Sequence, residues 1–302
     1  MRSKSFAFCL VGLALLAPVA GGCGGEGAKS ALGYTEDAKR AYDAAMDEFN
    51  AHNWLDAQTL MREVKRKYSY SKYARMAELR IADADVEQDK LPDAIREYKE
   101  FIRAHRSETD DIAYARSKIA EATFAQIPDS FIMPAAEERD QAGVLDAYKE
   151  LKSYLADYPE SKQTKHMREL LANVTGKLVR HELYVARFYL KKDNYDAAIA
   201  RIQYALRNYG GEADAVQLGG ADSSLRAEAL LLLGTTYLKM RKWPEAQQAF
   251  DAIVRTYGDS PIATEARNYR TYLAGLVNHE ARAPEGRTEV EKQKTDADKR
   301  RN

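Results

Sequence analysis

Apolar residues recur along most of this chain at the spacing of one face of an α-helix. Positions i, i+4 and i+7 lie on the same side of a helix, so a repeated apolar set at these positions marks a buried face. In this chain the first position is alanine and the second is large and apolar. Five segments share the register: Ala57-Met61-Val64, Ala94-Tyr98-Phe101, Ala147-Leu151-Tyr154, Ala198-Ile202-Ala205 and Ala246-Phe250-Ile253. The pattern predicts five helices, each with one buried face.

The clearest copy of the repeat, Leu230 to Gly258, contains two helices. Leu233-Gly234 and Tyr237 belong to the first helix, and Trp243-Pro244 is expected in the turn before the second. A Leu-Gly-x-x-Tyr helix followed by a small-then-aromatic helix is the tetratricopeptide pattern. One such pair cannot bury its apolar face alone, so neighbouring pairs must stack. We therefore predict an all-α solenoid of about five helix pairs over residues 34–276.

The repeats are longer than a regular tetratricopeptide unit. Consecutive register alanines are 37 to 53 residues apart, whereas the regular period is about 34. Insertions are expected at Ala125–Arg139, in lengthened helices around Leu170–Arg180, and in the glycine-rich segment Gly210–Ser224. Insertions in a solenoid project from its edge, where partners can reach them.

The N-terminus has the layout of a secretory signal. Arg2 and Lys4 precede an uncharged run from Ser5 to Gly22, which is too short to span a bilayer as a helix. The tetrad Ala20-Gly21-Gly22-Cys23 resembles the lipobox of bacterial lipoproteins, in which the cysteine receives a lipid. Residues 1–22 are then a cleaved signal peptide, and residues 23–33 are a lipidated flexible tether.

The alternative for Cys23 is an ordinary signal-peptidase site that leaves one free thiol in an oxidising compartment. The other cysteine, Cys9, lies in the segment expected to be removed. The mature chain would then have no cysteine pair for an internal disulfide, and packing alone must hold the fold.

Composition excludes several classes of function. The 46 Lys and Arg residues balance 46 Asp and Glu residues, so the basic excess of a nucleic-acid-binding protein is missing. The chain contains no H-E-x-x-H, G-x-S-x-G or phosphate-loop motif, and its five histidines are scattered. His181 and Glu182 are neighbours, but adjacent helical residues point about 100° apart. We predict no enzyme activity, no cofactor, no metal site and no nucleic-acid partner.

The C-terminal segment differs from the repeats. Residues 277–302 contain no aromatic residue, and Val277 and Val290 are their only large aliphatic residues. Such a segment cannot bury enough apolar surface to fold by itself. We predict a charged, disordered tail.

The middle of the chain resembles the BamD family of outer-membrane protein assembly factors, which are tetratricopeptide-repeat lipoproteins of the β-barrel assembly machinery. The resemblance covers roughly Tyr42 to Leu276. It rests on Glu138-Arg139-Asp140, on Ala-Asp-Tyr-Pro-Glu-Ser at 156–161, and on Leu178-x-x-His181-Glu182-x-x-Val185-Ala186-x-x-Tyr189 running into Ala197-Ala198-Ile199-x-Arg201. Two turns depart from the family: Tyr68-Ser69-Tyr70-Ser71 replaces Tyr-Pro-Phe, and Gln141 replaces a common proline.

The resemblance implies a scaffold at the periplasmic face of the outer membrane, held there by its lipid. Its later repeats would dock a periplasmic domain of the barrel-inserting protein BamA, alongside other assembly-machinery lipoproteins. The groove of its early repeats would receive the C-terminal segments of unfolded outer-membrane proteins. An extended concave surface suits such partners better than it suits chemistry.

Five residues are candidates for partner contacts. Tyr70 and Tyr73 are expected in the turn after the first repeat, where aromatic rings can line a groove, although a tyrosine in a repeat is more often part of the core. Arg201, by resemblance, belongs to the surface that meets the partner, and the alternative is a solvated helix arginine. Arg139 and Asp140 precede a helix, where Asp140 can accept free backbone N–H groups and the same loop can also touch a partner.

Other lipid-anchored repeat proteins remain as alternatives. One is a pilotin that serves pilus or secretin assembly, and another is a coordinator of the cell envelope and peptidoglycan synthesis. A carbohydrate-binding or transporter-associated solenoid would need exposed aromatic platforms, which a sequence cannot place.

Overall fold

The computed structural model describes residues 31–107, 109–128, 135–213, 224–258 and 260–282. These residues form eleven α-helices and one short 3-10 helix, Ala136–Glu138. The helices are α1 Ala31–Asn50, α2 Trp54–Lys67, α3 Lys72–Glu87, α4 Leu91–Ala104, α5 Thr109–Ala125, α6 Ala142–Asp157, α7 Thr164–Leu190, α8 Tyr195–Ala213, α9 Leu225–Lys239, α10 Trp243–Tyr257 and α11 Pro261–Arg282. The first ten form five consecutive pairs, and α11 packs on the last. The all-α tetratricopeptide solenoid is confirmed.

The alanine register explains how the two helices of each pair approach. Alanine stands at the first register position in α2, α4, α6, α8 and α10, and all five alanines are 0 % exposed. The large residue four positions later is also fully buried in every copy: Met61, Tyr98, Leu151, Ile202 and Phe250. A small side chain lets the first helix come close, and the large one fills the space beside it. The predicted buried faces are confirmed in all five copies.

Two helices begin earlier than the sequence suggested. Trp243 and Pro244 are the first two residues of α10 rather than a turn, because proline lacks an N–H that the first helical turn would leave unpaired anyway. Tyr73 lies in α3 rather than in the preceding turn. Ser71 caps that helix, since its hydroxyl accepts a hydrogen bond from the Ala74 N–H at 3.2 Å.

The turn inside a pair has the same conformation in four of the five pairs. Two residues before each second helix, a residue other than glycine adopts a positive φ between 55° and 63°: His52, Asp89, Asp193 and Arg241. The left-handed conformation reverses the chain within three residues. The tight turns therefore set a common angle between the paired helices.

Of the three expected insertions, the lengthened helix around Leu170–Arg180 is confirmed, whereas residues 129–134 and 214–223 of the other two lie outside the described residues. Helix α7 is 27 residues long, and α8 continues to Ala213. The segment before α6 contains the 3-10 helix, which packs on α7. Helices also continue slightly beyond the expected limits of the solenoid, starting at Ala31 and ending at Arg282. The signal peptide, Cys23 and residues 283–302 lie outside the described residues.

Because successive helices run in opposite directions, the solenoid has two edges. The proximal edge carries the starts of the first helices and the ends of the second ones, and Tyr34 at the start of α1 meets Tyr68 at the end of α2 with ring centroids 5.4 Å apart. The distal edge carries the turns inside the pairs, such as those at His52 and Asp193. In the described part of the chain, no helix is long and apolar enough to cross a membrane.

Candidate partner-binding surfaces

The stretch from Leu178 to Tyr189 forms the second half of α7 and packs against α8. Leu178, Leu183 and Ala186 are buried there. The carboxylate of Glu182 is also largely buried, and Arg201 on α8 approaches its Oε2 to 3.4 Å. The Arg201 side chain is nevertheless 46 % exposed. Arg201 thus joins the core of the pair to its surface.

Exposed aromatic side chains lie on the same two helices. Tyr184 and Phe188 stand one turn apart on α7, and Tyr204 stands on α8 three positions after Arg201, with 41 to 51 % of each residue exposed. Lys192 Nζ lies 6.0 Å from the centre of the Phe188 ring. Half-exposed aromatic rings next to arginine are enriched at protein–protein interfaces. We call Tyr184, Phe188, Arg201 and Tyr204 the α7–α8 surface.

The loop with Arg139 and Asp140 is folded against α6 and α7. Arg139 Nη1 donates to the Pro128 carbonyl at 2.6 Å. Asp140 Oδ1 accepts the Ala142 N–H at 3.1 Å, as expected for a carboxylate before a helix. His181 Nδ1 lies 2.7 Å from the Glu137 carbonyl, which fixes the 3-10 helix to α7.

A mostly apolar cavity of about 370 Å³ lies behind this loop. Ile127, Pro128 and Val144 supply apolar wall, and Arg139 and Lys177 supply cationic groups. Where the family commonly has proline, the Gln141 side chain donates to the carbonyls of Ala136 and Arg139 at 2.9 and 2.8 Å. These two bonds hold the loop without the proline ring.

The first helices α1, α3 and α5 lie side by side and enclose a smaller polar cavity of about 210 Å³. At its centre, the buried carboxylate of Asp83 accepts hydrogen bonds from the hydroxyls of Tyr98 and Tyr114, the latter at 2.9 and 3.0 Å. Arg80 pairs with Asp83 at 2.5 Å, and Lys118 lies 5.8 Å from the Tyr114 ring centre. We call Arg80, Asp83, Tyr114 and Lys118 the early groove.

The phenols of the early groove are held protonated. Burial, with the neighbouring Asp83 carboxylate adding to it, raises the pKa of both Tyr98 and Tyr114 well above the usual value. Burial likewise raises the pKa of Tyr42, while Arg80 opposes that shift. At neutral pH these hydroxyls are therefore hydrogen-bond donors.

The structure separates the two tyrosines that the sequence grouped together. The Tyr73 ring packs against Tyr42, with centroids 5.7 Å apart, and is partly buried in the core of the first repeat. Tyr70 lies in the turn between α2 and α3 at the proximal edge and is 96 % exposed. The two rings do not form one aromatic pair in a groove.

Sequence analysis missed the importance of Asp83. A signal exists in the run Ile81-Ala-Asp83-Ala-Asp85-Val86, where two carboxylates interrupt an otherwise apolar helix. Both are buried, and Asp85 accepts a hydrogen bond from Gln58 Nε2 at 2.8 Å. A buried carboxylate needs such donors, so acids within an apolar helical run mark a buried polar network. No group of three or more His, Cys, Asp or Glu in the described residues is arranged to hold a metal ion.

Two protein-family models match this chain. A family model described as an outer membrane lipoprotein, YfiO, matches residues 35–218. A tetratricopeptide-repeat model matches residues 228–260, the region of α9 and α10.

Several curated proteins of one name are similar to this chain. The outer membrane protein assembly factor BamD of Caulobacter vibrioides is 28 % identical over 196 residues, which span 65 % of this chain and 62 % of that protein. The same factor of Neisseria meningitidis serogroup A is 23 % identical over 76 % of this chain and 82 % of its own length. A solved structure, the TPR2AB domain of yeast Sti1, covers 82 % of this chain and 86 % of its own at 10 % identity and a TM-score of 0.40.

Proposed function

The chain belongs to the outer membrane lipoprotein family that includes the BamD assembly factors, and from this premise we propose that it is a lipid-anchored periplasmic scaffold for β-barrel assembly. Membership gives a role in outer-membrane protein assembly. Our proposal adds that the α7–α8 surface docks the periplasmic domain of BamA and that the early groove receives C-terminal segments of unfolded outer-membrane proteins. Cys23 would carry the lipid.

The observation that carries the docking proposal is the exposure of aromatic rings on α7 and α8, the helices that Glu182 and Arg201 join. Phe188 is 51 % exposed near the distal end of α7, and the Arg201 side chain is 46 % exposed despite its ion pair. Such anchors lose little stability on truncation but bind strongly when a partner desolvates them. The segment that contains Arg139 and Asp140 is fixed to α7 through the contact of His181 with the Glu137 carbonyl, so we include both residues among the proposed contacts.

The early groove suits the end of an extended polypeptide. Tyr114 offers an aromatic wall, while Arg80 and Lys118 lie 5.4 and 5.8 Å from its ring centre. A peptide that ends in an aromatic residue brings a ring to stack and a terminal carboxylate to pair with these cations. Tyr73 borders the first repeat and supports this groove through Tyr42.

The docking proposal is tested by co-purification from solubilised outer membrane. We expect Phe188→Ala with Tyr204→Ala to reduce the recovery of BamA at least about tenfold, the loss of roughly 1.4 kcal/mol or more that two interface aromatics supply. Tyr272→Ala is the matched control, because Tyr272 is 60 % exposed on α11, away from the α7–α8 surface. Recovery of a secretin without BamA would instead favour the pilotin alternative.

A second test addresses the early groove. We expect a synthetic peptide that ends in phenylalanine to bind the chain. Lys118→Glu should weaken that binding several-fold. The same peptide with an amidated C-terminus should bind poorly to the parent chain and to the Lys118→Glu variant. Lys162→Glu is a control at the proximal edge. Equal binding of the acid and amide peptides would refute the carboxylate contact.

A further inference from the structure

Cationic side chains and one fully exposed tyrosine cluster at the proximal edge of the first repeat. We call this cluster the proximal basic patch; it consists of Arg62, Lys65, Arg66, Lys67, Tyr70 and Lys72, and every one of these residues is exposed. Tyr70 forms the tip of the turn between α2 and α3. With 46 basic and 46 acidic residues in the whole chain, such a cluster reflects the distribution of charge rather than an overall excess.

Most of these cations lack a carboxylate partner. Lys65 approaches Glu78 at 3.7 Å, and Glu78 also faces His105. Within the described residues, Arg62, Arg66, Lys67 and Lys72 make no ion pair, and Lys67 and Lys72 lie 5.5 and 5.2 Å from the rings of Tyr68 and Tyr73. Glu63 is the one exposed acid within the run from Arg62 to Lys72. The patch is therefore positive on balance and open to an anionic partner.

The patch lies beside the point where the chain leaves the solenoid towards Cys23. Tyr34, in the first turn of α1, packs on Tyr68 at the end of α2, two residues before Tyr70. Cys23 precedes Ala31 by eight residues. Eight residues can span at most roughly 28 Å. A lipid at Cys23 would thus hold the patch close to the membrane surface.

Other surfaces of the solenoid do not share this chemistry. Further along the proximal edge, Asp110, Asp157 and Glu160 outnumber Lys162 around a depression between α5 and the end of α6, where a negative membrane surface would be repelled. On the distal edge, Lys191 and Lys192 stand beside exposed Phe188, but they point away from the start of α1. Among the described residues, the first repeat is where exposed cations, an exposed tyrosine and the start of α1 come together.

We propose that the proximal basic patch rests on anionic phospholipid headgroups of the membrane that holds the anchor. Lysine and arginine beside a negatively charged leaflet attract it electrostatically, and tyrosine favours the headgroup level because its ring is apolar and its hydroxyl polar. This contact rests on the proposed lipid at Cys23. Its consequence is orientation, since an anchor alone leaves the solenoid free to tumble, whereas a second contact fixes which edge faces the bilayer.

The test measures vesicle binding by the chain that carries Cys23→Ser, so that no lipid contributes. We expect sedimentation with phosphatidylethanolamine vesicles that contain phosphatidylglycerol, and none with phosphatidylethanolamine alone. Each Lys or Arg near such a surface contributes roughly fivefold to partitioning, so Arg66→Gln with Lys67→Gln should weaken binding about 25-fold. Tyr70→Ala should weaken it a few fold.

The matched control is Lys191→Gln with Lys192→Gln, which removes the same charge at the distal edge. Equal weakening by both double variants, or equal binding to neutral vesicles, would overturn the proposal. Melting temperatures of all variants should stay within a few degrees of the parent, because the substituted residues are exposed. A fall in binding with rising salt is also required, since the Debye length shrinks from about 10 Å at 0.1 M to about 3 Å at 1 M.

The Cys23→Ser variant distinguishes failure of this proposal from failure of the proposed lipid anchor. If Cys23→Ser stays in the membrane fraction after a high-salt wash, the anchor assignment is wrong, while the vesicle result still decides the patch. If Cys23→Ser is washed off at low salt and ignores anionic vesicles, the patch is refuted and the anchor stands.

Discussion

The second and fifth repeats have the same helical geometry but are held together by different forces. In the second repeat, the register aromatic Tyr98 donates its hydroxyl to buried Asp83, which also pairs with Arg80 on α3 and Tyr114 on α5. In the fifth, the corresponding Phe250 stacks on Tyr269 of α11 with the ring planes 6° apart and centroids at 5.1 Å. One repeat uses directional hydrogen bonds where the other uses apolar contact.

The comparison shows that the contacts that stabilise a repeat differ from the contacts that fix how its helices are arranged. Apolar contact depends mainly on area and fit, so it secures the solenoid's end without requiring particular partners. A buried carboxylate requires donors at fixed positions, and it is costly when one is removed. The network therefore determines how α3, α4 and α5 align, and with them the shape of the early groove.

The largest loss in the free energy of unfolding is expected from Phe250→Ala. The side chain is fully buried, and truncation of such a phenylalanine typically costs about 3–5 kcal/mol. Because repeats interact mainly with their neighbours, urea unfolding followed by hydrogen exchange should show protection lost in α9 to α11 first. Protection lost evenly along the chain would show that the repeats unfold as one unit.

Asp83→Ala should lower the free energy of unfolding slightly less than Phe250→Ala does, by about 2–4 kcal/mol. The substitution leaves Arg80 and two tyrosine hydroxyls without their common acceptor. Hydrogen exchange should now increase in α3 to α5 and leave α9 to α11 protected. The control is Asp56→Ala, which removes an exposed carboxylate from α2. A loss no larger than that of the control would mean that the network does not hold the second repeat.

Gly234→Ala tests how tightly the fifth repeat is packed. A Cβ at this position would lie 2.6 Å from Phe250 Cε1, so the ring must shift, and overpacking of this kind costs about 1–3 kcal/mol. Helix propensity alone would favour alanine by about 1 kcal/mol. Gly143→Ala is the matched control, since nothing lies within 4 Å of its Cβ position. Stabilisation by both substitutions would refute close packing of α9 on α10.

The smallest effect is expected in alkaline solution. The raised pKa values of Tyr98 and Tyr114 mean that these phenols ionise more readily in the unfolded chain than in the folded one. Their stabilising contribution is full below pH about 10, the unfolded value, and falls as the pH rises above it. Tyr114→Phe should make the free energy of unfolding less dependent on pH in that range, which urea unfolding at several alkaline pH values measures.

The two repeats also differ in how well the sequence predicted them. The Ala246-Phe250-Ile253 register predicted the packing of the fifth repeat correctly, because apolar periodicity directly reports a buried face. The same register placed Tyr98 in the core, yet it gave no indication that its hydroxyl meets Asp83 from another helix. Contacts between side chains 15 or 31 residues apart depend on how helices stack, which periodicity does not encode.

Local helix boundaries show a second limit. Ser71 and Pro244 both mark helix starts, but the sequence analysis treated their surroundings as turns and so misplaced Tyr73 and Trp243. Exposure was equally hard to foresee, since nothing in the repeat register distinguishes Tyr70 from a buried tyrosine. The composition of the proximal basic patch was visible in the sequence, whereas its position beside the start of α1 required the packing of Tyr34 on Tyr68.

The shared turn at His52, Asp89, Asp193 and Arg241 has a consequence for engineering. A residue with a side chain in the left-handed conformation costs roughly 1–2 kcal/mol relative to glycine, which is partly offset because glycine gains more freedom in the unfolded chain. Glycine at Arg241, where the side chain has no small polar group to relieve the strain, should therefore remove backbone strain, and the melting temperature reports the balance between that gain and the loss of the interactions of Arg241. The four turns are equivalent positions at which a more stable version of the solenoid can be built without changing any proposed partner surface.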